Sequence, residues 1–164
     1  MVKRQNDKMN EEKRLLIRAL DIAMEGIQKG GGPFGAVITM DGEIIAEAYN
    51  EVVYTNDPTA HAEILAIRKA CDMVGSHDLS NSVLFASCEP CHMCMGAVYW
   101  SGIKKVYYAS GRKDAARAGF GDDFIYEELK KEPQEREISL CRLPDVDGSD
   151  VFRMWDRYEN KFFY

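Results

Sequence analysis

The stretches Asn56-Asp57-Pro58-Thr59-Ala60-His61-Ala62-Glu63 and Ser87-Cys88-Glu89-Pro90-Cys91-His92-Met93-Cys94 decide how this chain is read. One imidazole (His61) and two thiols (Cys91 and Cys94) at these spacings can hold a zinc ion and leave a coordination position open. Three protein ligands plus an open position is the pattern of catalytic zinc, whereas four side chains normally close a structural site. A dication, two thiolates and a neutral imidazole sum to zero charge. Glu63, two residues past the imidazole, can handle protons at the open position. Either fragment alone is weak, since a His-x-Glu on a helix is usually a solvated face and a C-x-x-C is often a redox pair. Their joint presence, each at a helix start, argues for one site.

Cys91 and Cys94 are three apart, so a helix projects both to one side. Pro90 is predicted at the first helical position, where its missing N–H costs nothing. The thiols then sit in the first turn, where free N–H groups and the positive dipole end favour thiolates. His61 likewise opens a helix, with Thr59 or Asp57 as candidate cap, that runs to about Val74 and ends at Gly75. Glu63 lies about 200° round an ideal helix from His61. Periodicity alone does not unite them, but in a first turn both can reach past the helix end. Cys88, Cys91 and Cys94 also share the rhythm of ferredoxin-type iron–sulfur runs, which need a fourth cysteine nearby; the next is Cys141. Cys88 is expected at the end of a buried strand and Cys71 and Cys141 in the core, with His77 and His92 exposed.

Outward from this centre, Glu12 to Gln28 has helical spacing, with Leu15, Leu16, Ala19, Ile22, Ala23, Met24 and Ile27 on one broad face. Gly30-Gly31-Gly32-Pro33 stops it. Phe34 to Met40 and Glu43 to Tyr49 read as strands joined by a tight turn at Asp41-Gly42. Val83 to Ala86 is a short apolar strand, the Pro90 helix runs to about Trp100, and Lys104 to Ala109 is another strand. This alternation predicts an α/β sheet with parallel members. Further on, Phe124 to Lys131 is expected as a helix, Glu137 to Arg142 as a strand and Val151 to Lys161 as a helix.

The 164 residues suit one domain spanning 1–164, and 46% are hydrophobic, ordinary for a packed core. The net charge of −6 disfavours a polyanionic partner, so nucleic acid is not expected, although a small base is compatible. No secretory leader or membrane span is read, and five cysteines without such a leader point to a reducing, cytoplasmic setting and to metal rather than disulfides.

At these residues the chain resembles the cytidine deaminase-like superfamily, whose H-x-E…P-C-x-x-C signature it carries. Within that superfamily it is similar to the bacterial guanine deaminases. Gly32-Pro33-Phe34-Gly35-Ala36-Val37 joins the two stretches above in carrying the likeness. The more discriminating matches are Ala97-Val98-Tyr99-Trp100, Asp114-Ala115-Ala116, Ala118-Gly119-Phe120, Phe124-Ile125-Tyr126 and Tyr164. Gly111-Arg112-Lys113 and the loop holding Asp122 match only in part. The resemblance implies a three-layer α/β/α sandwich around a five-stranded mixed sheet and one zinc ion per chain. It also implies a homodimer that exchanges C-terminal segments, from about 145 to 164.

Carried over by position, His61, Cys91 and Cys94 are the zinc ligands. Glu63 is the proton shuttle, Asp122 an acid near the leaving amine, and Tyr164 a terminal cap. Asn50, Phe34, Ala62 and Trp100 are assigned to the base. Each has a plainer reading: Phe34 and Trp100 as core (favoured for Trp100), Asn50 and Asp122 as turn residues. The implied activity is hydrolytic deamination of a nucleobase, guanine first. Alternatives are cytosine, ammeline, adenosine in transfer RNA, or a non-catalytic zinc module.

Overall fold

Helix α1 (Val2–Gln28) covers one face of a four-stranded sheet, and helices α3 (Ala62–Val74) and α4 (His92–Trp100) cover the other. The computed structural model describes residues 2–163, with side chains from residue 9 onward. Tyr164 lies outside the described residues. The chain divides into two units, one ending at Asp122 and one beginning at Asp123.

In the first unit, strands β1 (Gly32–Met40) and β2 (Glu43–Asn50) form an antiparallel hairpin. Its turn is Asp41-Gly42, with φ of 52° and 88°. Two positive φ values give the type I′ geometry whose twist suits a two-residue hairpin. β1 also pairs antiparallel with β3 (Ser82–Cys88), and β3 runs parallel to β4 (Lys105–Ser110). The order is β2-β1-β3-β4. The β3–α4–β4 crossover thus supplies the parallel pair expected from the sequence.

Alternation along β1 separates two cores. Ala36 and Ile38 face α3 and α4, meeting Ala62, Ala66, Ile67, Ala70, Leu84 and Val98. Val37 faces α1 and joins Leu15, Ala19, Ile22 and Phe85. α1 comes very close to β1 at Gly35, where a Cβ would overlap the Ala19 carbonyl oxygen and lie 2.6 Å from the Ala23 nitrogen. This is the three-layer α/β/α arrangement.

Several expectations need correction. The sheet has four strands among the described residues, not five. Glu137 to Arg142 forms no strand; among the described residues the second unit contains no other strand to pair with it, and Ile138 and Leu140 instead border a hollow of about 250 Å³ with Phe124, Ile125 and Leu129. α1 starts at Val2 rather than Glu12, a polar extension that carries no apolar rhythm to announce it. Met24 and Ile27 are more than half exposed, because the close approach at Gly35 narrows the buried stripe to Leu15, Ala19, Ile22 and Ala23. Cys141 is exposed and Cys71 only half-buried. α2 (Val52–Thr55) and α5 (Arg112–Arg117) are too short to show periodicity and were not expected. The second unit holds α6 (Asp123–Lys130), a 3₁₀ turn at Pro133–Glu135 and α7 (Ser149–Arg157), which ends four residues before the expected Lys161.

Candidate active site

Two helices begin on candidate ligands. His61 is the N-cap of α3, with φ −69° and ψ 152°, and Cys91 is the N-cap of α4, with φ −69° and ψ 176°. Each has left the helical conformation while its carbonyl still accepts the first helical bond, from Leu65 N–H at 3.0 Å and Met95 N–H at 2.8 Å respectively. Neither side chain caps its helix, so both are free to turn toward a common point. Pro90 therefore precedes the cap instead of occupying the first helical position. Asp57 does not cap α3 either; it accepts Thr59 N–H at 2.8 Å and Thr59 Oγ–H at 2.7 Å, closing the turn before it. Because His61 is not helical, the 200° separation from Glu63 on an ideal helix does not apply.

The Sγ atoms of Cys91 and Cys94 are 3.5 Å apart, and each lies 3.6 Å from His61 Nδ1. Zinc bond lengths of about 2.3 Å to sulfur and about 2.0 Å to nitrogen, in tetrahedral geometry, require edges of roughly 3.8 and 3.6 Å. The three donors fit such an ion with shifts of a few tenths of an ångström. The charge state agrees. The contact with Cys94, helped by His61, pushes Cys91 down to about 4. Cys94 goes the opposite way, raised by that same contact and by burial. The thiol pair thus resists losing both protons on its own, and a dication would displace the remaining one to give two thiolates. His61 is raised by its bond to Cys91.

Glu63 is 6% exposed. Burial pushes its carboxyl up, so it holds a proton far more readily than a surface glutamate. It faces a cavity of about 700 Å³ together with His61, Cys91, Asn50, Phe34 and Asp122. Cys94 is fully buried behind that surface. Sequence reasoning missed Phe120, whose ring meets Phe34 edge-on at 5.1 Å and 87°. Its bracketing glycines, Gly119 and Gly121, are the one local sign that a ring is held on a loop there. It also missed Glu89 and Arg112, paired at 3.6 Å on the cavity wall.

Two assigned residues do not reach the cavity with their side chains. Ala62 is fully buried in the core between α3 and the sheet. Trp100 ends α4 at the opposite end from Cys91 and is 69% exposed, so it neither lines the cavity nor fills the core. Trp100 is left outside the buried stripe of α4, which consists of Cys94 and Val98. His77 is exposed as expected, and His92 is half-buried.

A βαβ-containing sandwich with His-x-Glu and Cys-x-x-Cys at two helix starts defines a zinc-dependent deaminase. Residues 9–110 match the family described as the cytidine and deoxycytidylate deaminase zinc-binding region, and the chain belongs to that family. It is 50% identical to the guanine deaminase of Bacillus subtilis (strain 168) over 157 residues, which are 95% of this chain and 100% of that protein. The X-ray structure of the Bacillus subtilis guanine deaminase superposes with a TM-score of 0.90 at 49% identity, covering 93% of this chain and 98% of the other. The tRNA-specific adenosine deaminase of Aquifex aeolicus is 44% identical over 92 residues, 56% of this chain and 61% of its own length.

Proposed function

We propose that this enzyme converts guanine and water to xanthine and ammonia. The observation that carries the choice of base is the 50% identity to a guanine deaminase along that protein's entire length, C-terminal unit included. Transfer RNA deaminases that match over a comparable length do so at 32% identity.

His61, Cys91 and Cys94 would hold the zinc ion. When bound, zinc supplies Lewis acidity that brings the pKa of a water from 15.7 to about 7. Glu63 takes a proton from the attacking water and delivers protons to the ring nitrogen beside the amine-bearing carbon and to the departing amine. Its burial suits it to both acts, since a carboxyl of raised proton affinity can accept at neutral pH and later donate. Phe34 and Phe120 offer an apolar wall for the flat base, Asn50 engages its edge, and Asp122 assists protonation of the amine.

The working unit in this reading is a homodimer in which the segment from about 145 to 164 of one protomer covers the cavity of the other, with Tyr164 as its cap. It is supported by the apolar surface that this segment leaves open: Val151, Phe152, Met154, Phe162 and Phe163 are each at least 70% exposed. No helix among the described residues is long and apolar enough to cross a membrane. The free cysteines suit a reducing cytoplasm.

The test is ammonia release from guanine, guanosine, cytosine, adenine and ammeline, with zinc quantified on the same sample. Guanine turned over fastest, by one zinc per chain, is the expected result. A zinc-loaded protein that leaves guanine intact and releases ammonia from another base refutes the assignment.

A further inference from the structure

Gly32 and Asn50 face each other across the β1–β2 ladder, just before the register break between Gly32 and Gly35. Directly opposed residues place their side chains on the same face of a sheet. Here the Asn50 amide occupies the room that a Gly32 side chain would need. A Cβ at Gly32 would lie 2.9 Å from Asn50 Oδ1, inside the closest approach of real Cβ atoms, and a tight 3.1 Å from its Cγ, so the amide would have to move. The same oxygen accepts Val52 N–H at 3.3 Å. Only an oxygen can meet that donor, so the assignment of the amide follows. Asn50 is 8% exposed, and both residues line the cavity.

We infer that Gly32 is a positioning residue for base selection: its missing side chain lets the Asn50 carboxamide lie flat on β1, with its oxygen committed to Val52 and its amine left to the cavity. At this one position the site then presents the base with a donor, the Asn50 amine. This narrows the sequence-based expectation that Asn50 would donate and accept at once. The matching edge of the ligand is an acceptor, a ring carbonyl or an unprotonated ring nitrogen; an exocyclic amine presented there would meet a like donor. The inference deepens the deaminase reading above and rests on it.

The experiment is a double-mutant cycle of Gly32→Ala and Asn50→Ala in zinc-loaded protein, using whichever base of the panel the parent deaminates fastest. Guanine turnover by the parent therefore tests the proposed function, and the cycle tests the positioning role separately. Gly32→Ala is expected to raise KM roughly tenfold, the size of one good hydrogen bond, with kcat within about twofold. Zinc content should not change. In the Asn50→Ala background the amide is gone and the Cβ has room, so Gly32→Ala should move KM by less than about twofold. An unchanged KM on Gly32→Ala alone, or an equal rise in both backgrounds, overturns the inference. If Gly32→Ala alone fails to fold, a folded double variant supports the steric conflict with Asn50. Failure of both assigns Gly32 to the backbone of β1 instead and overturns the role.

Discussion

Replacing Glu63 by glutamine keeps the shape of the side chain and removes its capacity to carry a proton. The carboxyl is almost wholly buried and stands on the cavity wall beside His61 and Cys91, so bulk water is poorly placed to substitute for it. In the proposed reaction one carboxyl serves both proton collection and proton delivery. The loss should therefore fall at the upper end of the range for general acid–base groups, about 10⁴-fold in kcat, or roughly 5 kcal/mol of barrier. Asp122, a second carboxyl on that wall whose charge is felt at His61, is expected to set the residual rate. Glu63 is not one of the three donors that converge on the metal position, so zinc content should hold at the parent level. The assay is spectrophotometric release of xanthine, with zinc measured by elemental analysis on the same preparation. A zinc-loaded Glu63→Gln protein within about tenfold of the parent rate would refute the proton-shuttle role.

Cys91→Ala removes one of the three converging donors, the thiol held lowest of the pair; it should lower zinc to well below one per chain after dialysis and abolish turnover, and retention of stoichiometric zinc contradicts the ligand set. Phe85→Ala empties a fully enclosed position between α1 and the sheet and breaks the stack on Tyr107 at 5.2 Å. Urea unfolding should show a loss of about 3–5 kcal/mol, and one under about 1 kcal/mol would mean that this core has slack. Arg18 grips Glu47 through two bonds of 2.8 Å and holds its carboxyl below the ordinary 4.5. A depressed carboxyl stabilises the fold above its unfolded pKa and loses that contribution as pH falls through the folded one. Arg18→Gln should thus cost no more than about 1 kcal/mol at pH 7, because the pair is partly exposed. The gap from the parent should close in melts taken below pH 4.5; a gap that widens there contradicts the pairing.

The metal-binding trio was legible because two short motifs each carried their own helix-start chemistry. Asn50 and Phe34, assigned through the family resemblance, both line the cavity, one at the end of β2 and the other near the start of β1. What stayed hidden depends on tertiary direction. Trp100 and Ala62 sit close in sequence to ligands, yet the ring of one is left exposed at the end of α4 and the methyl of the other enters the core, because a helix turns by a fixed angle that proximity in sequence does not convey. Phe120 escaped notice because only its meeting with Phe34, 86 positions earlier in the chain, makes it part of a wall. Ile138 and Leu140 alternate like a strand, but alternation cannot create a neighbouring ladder.

Gly35 has a reach beyond its own strand. It touches α1 at Ala19 and Ala23, donates its N–H to the buried hydroxyl of Ser87 at 2.9 Å, and directly follows Phe34 on the cavity wall. Ser87 in turn leads into Cys88 and the loop that ends at Cys91. α1 is thereby coupled to the cavity: a bulkier residue at position 19 or 23 would push on Gly35, and through it on Phe34 and Ser87, which lead to the aromatic wall and to the ligand loop. Efforts to harden this enzyme by refilling α1 should leave those two alanines alone, for any gain in cohesion there would be drawn from the alignment of the reaction centre.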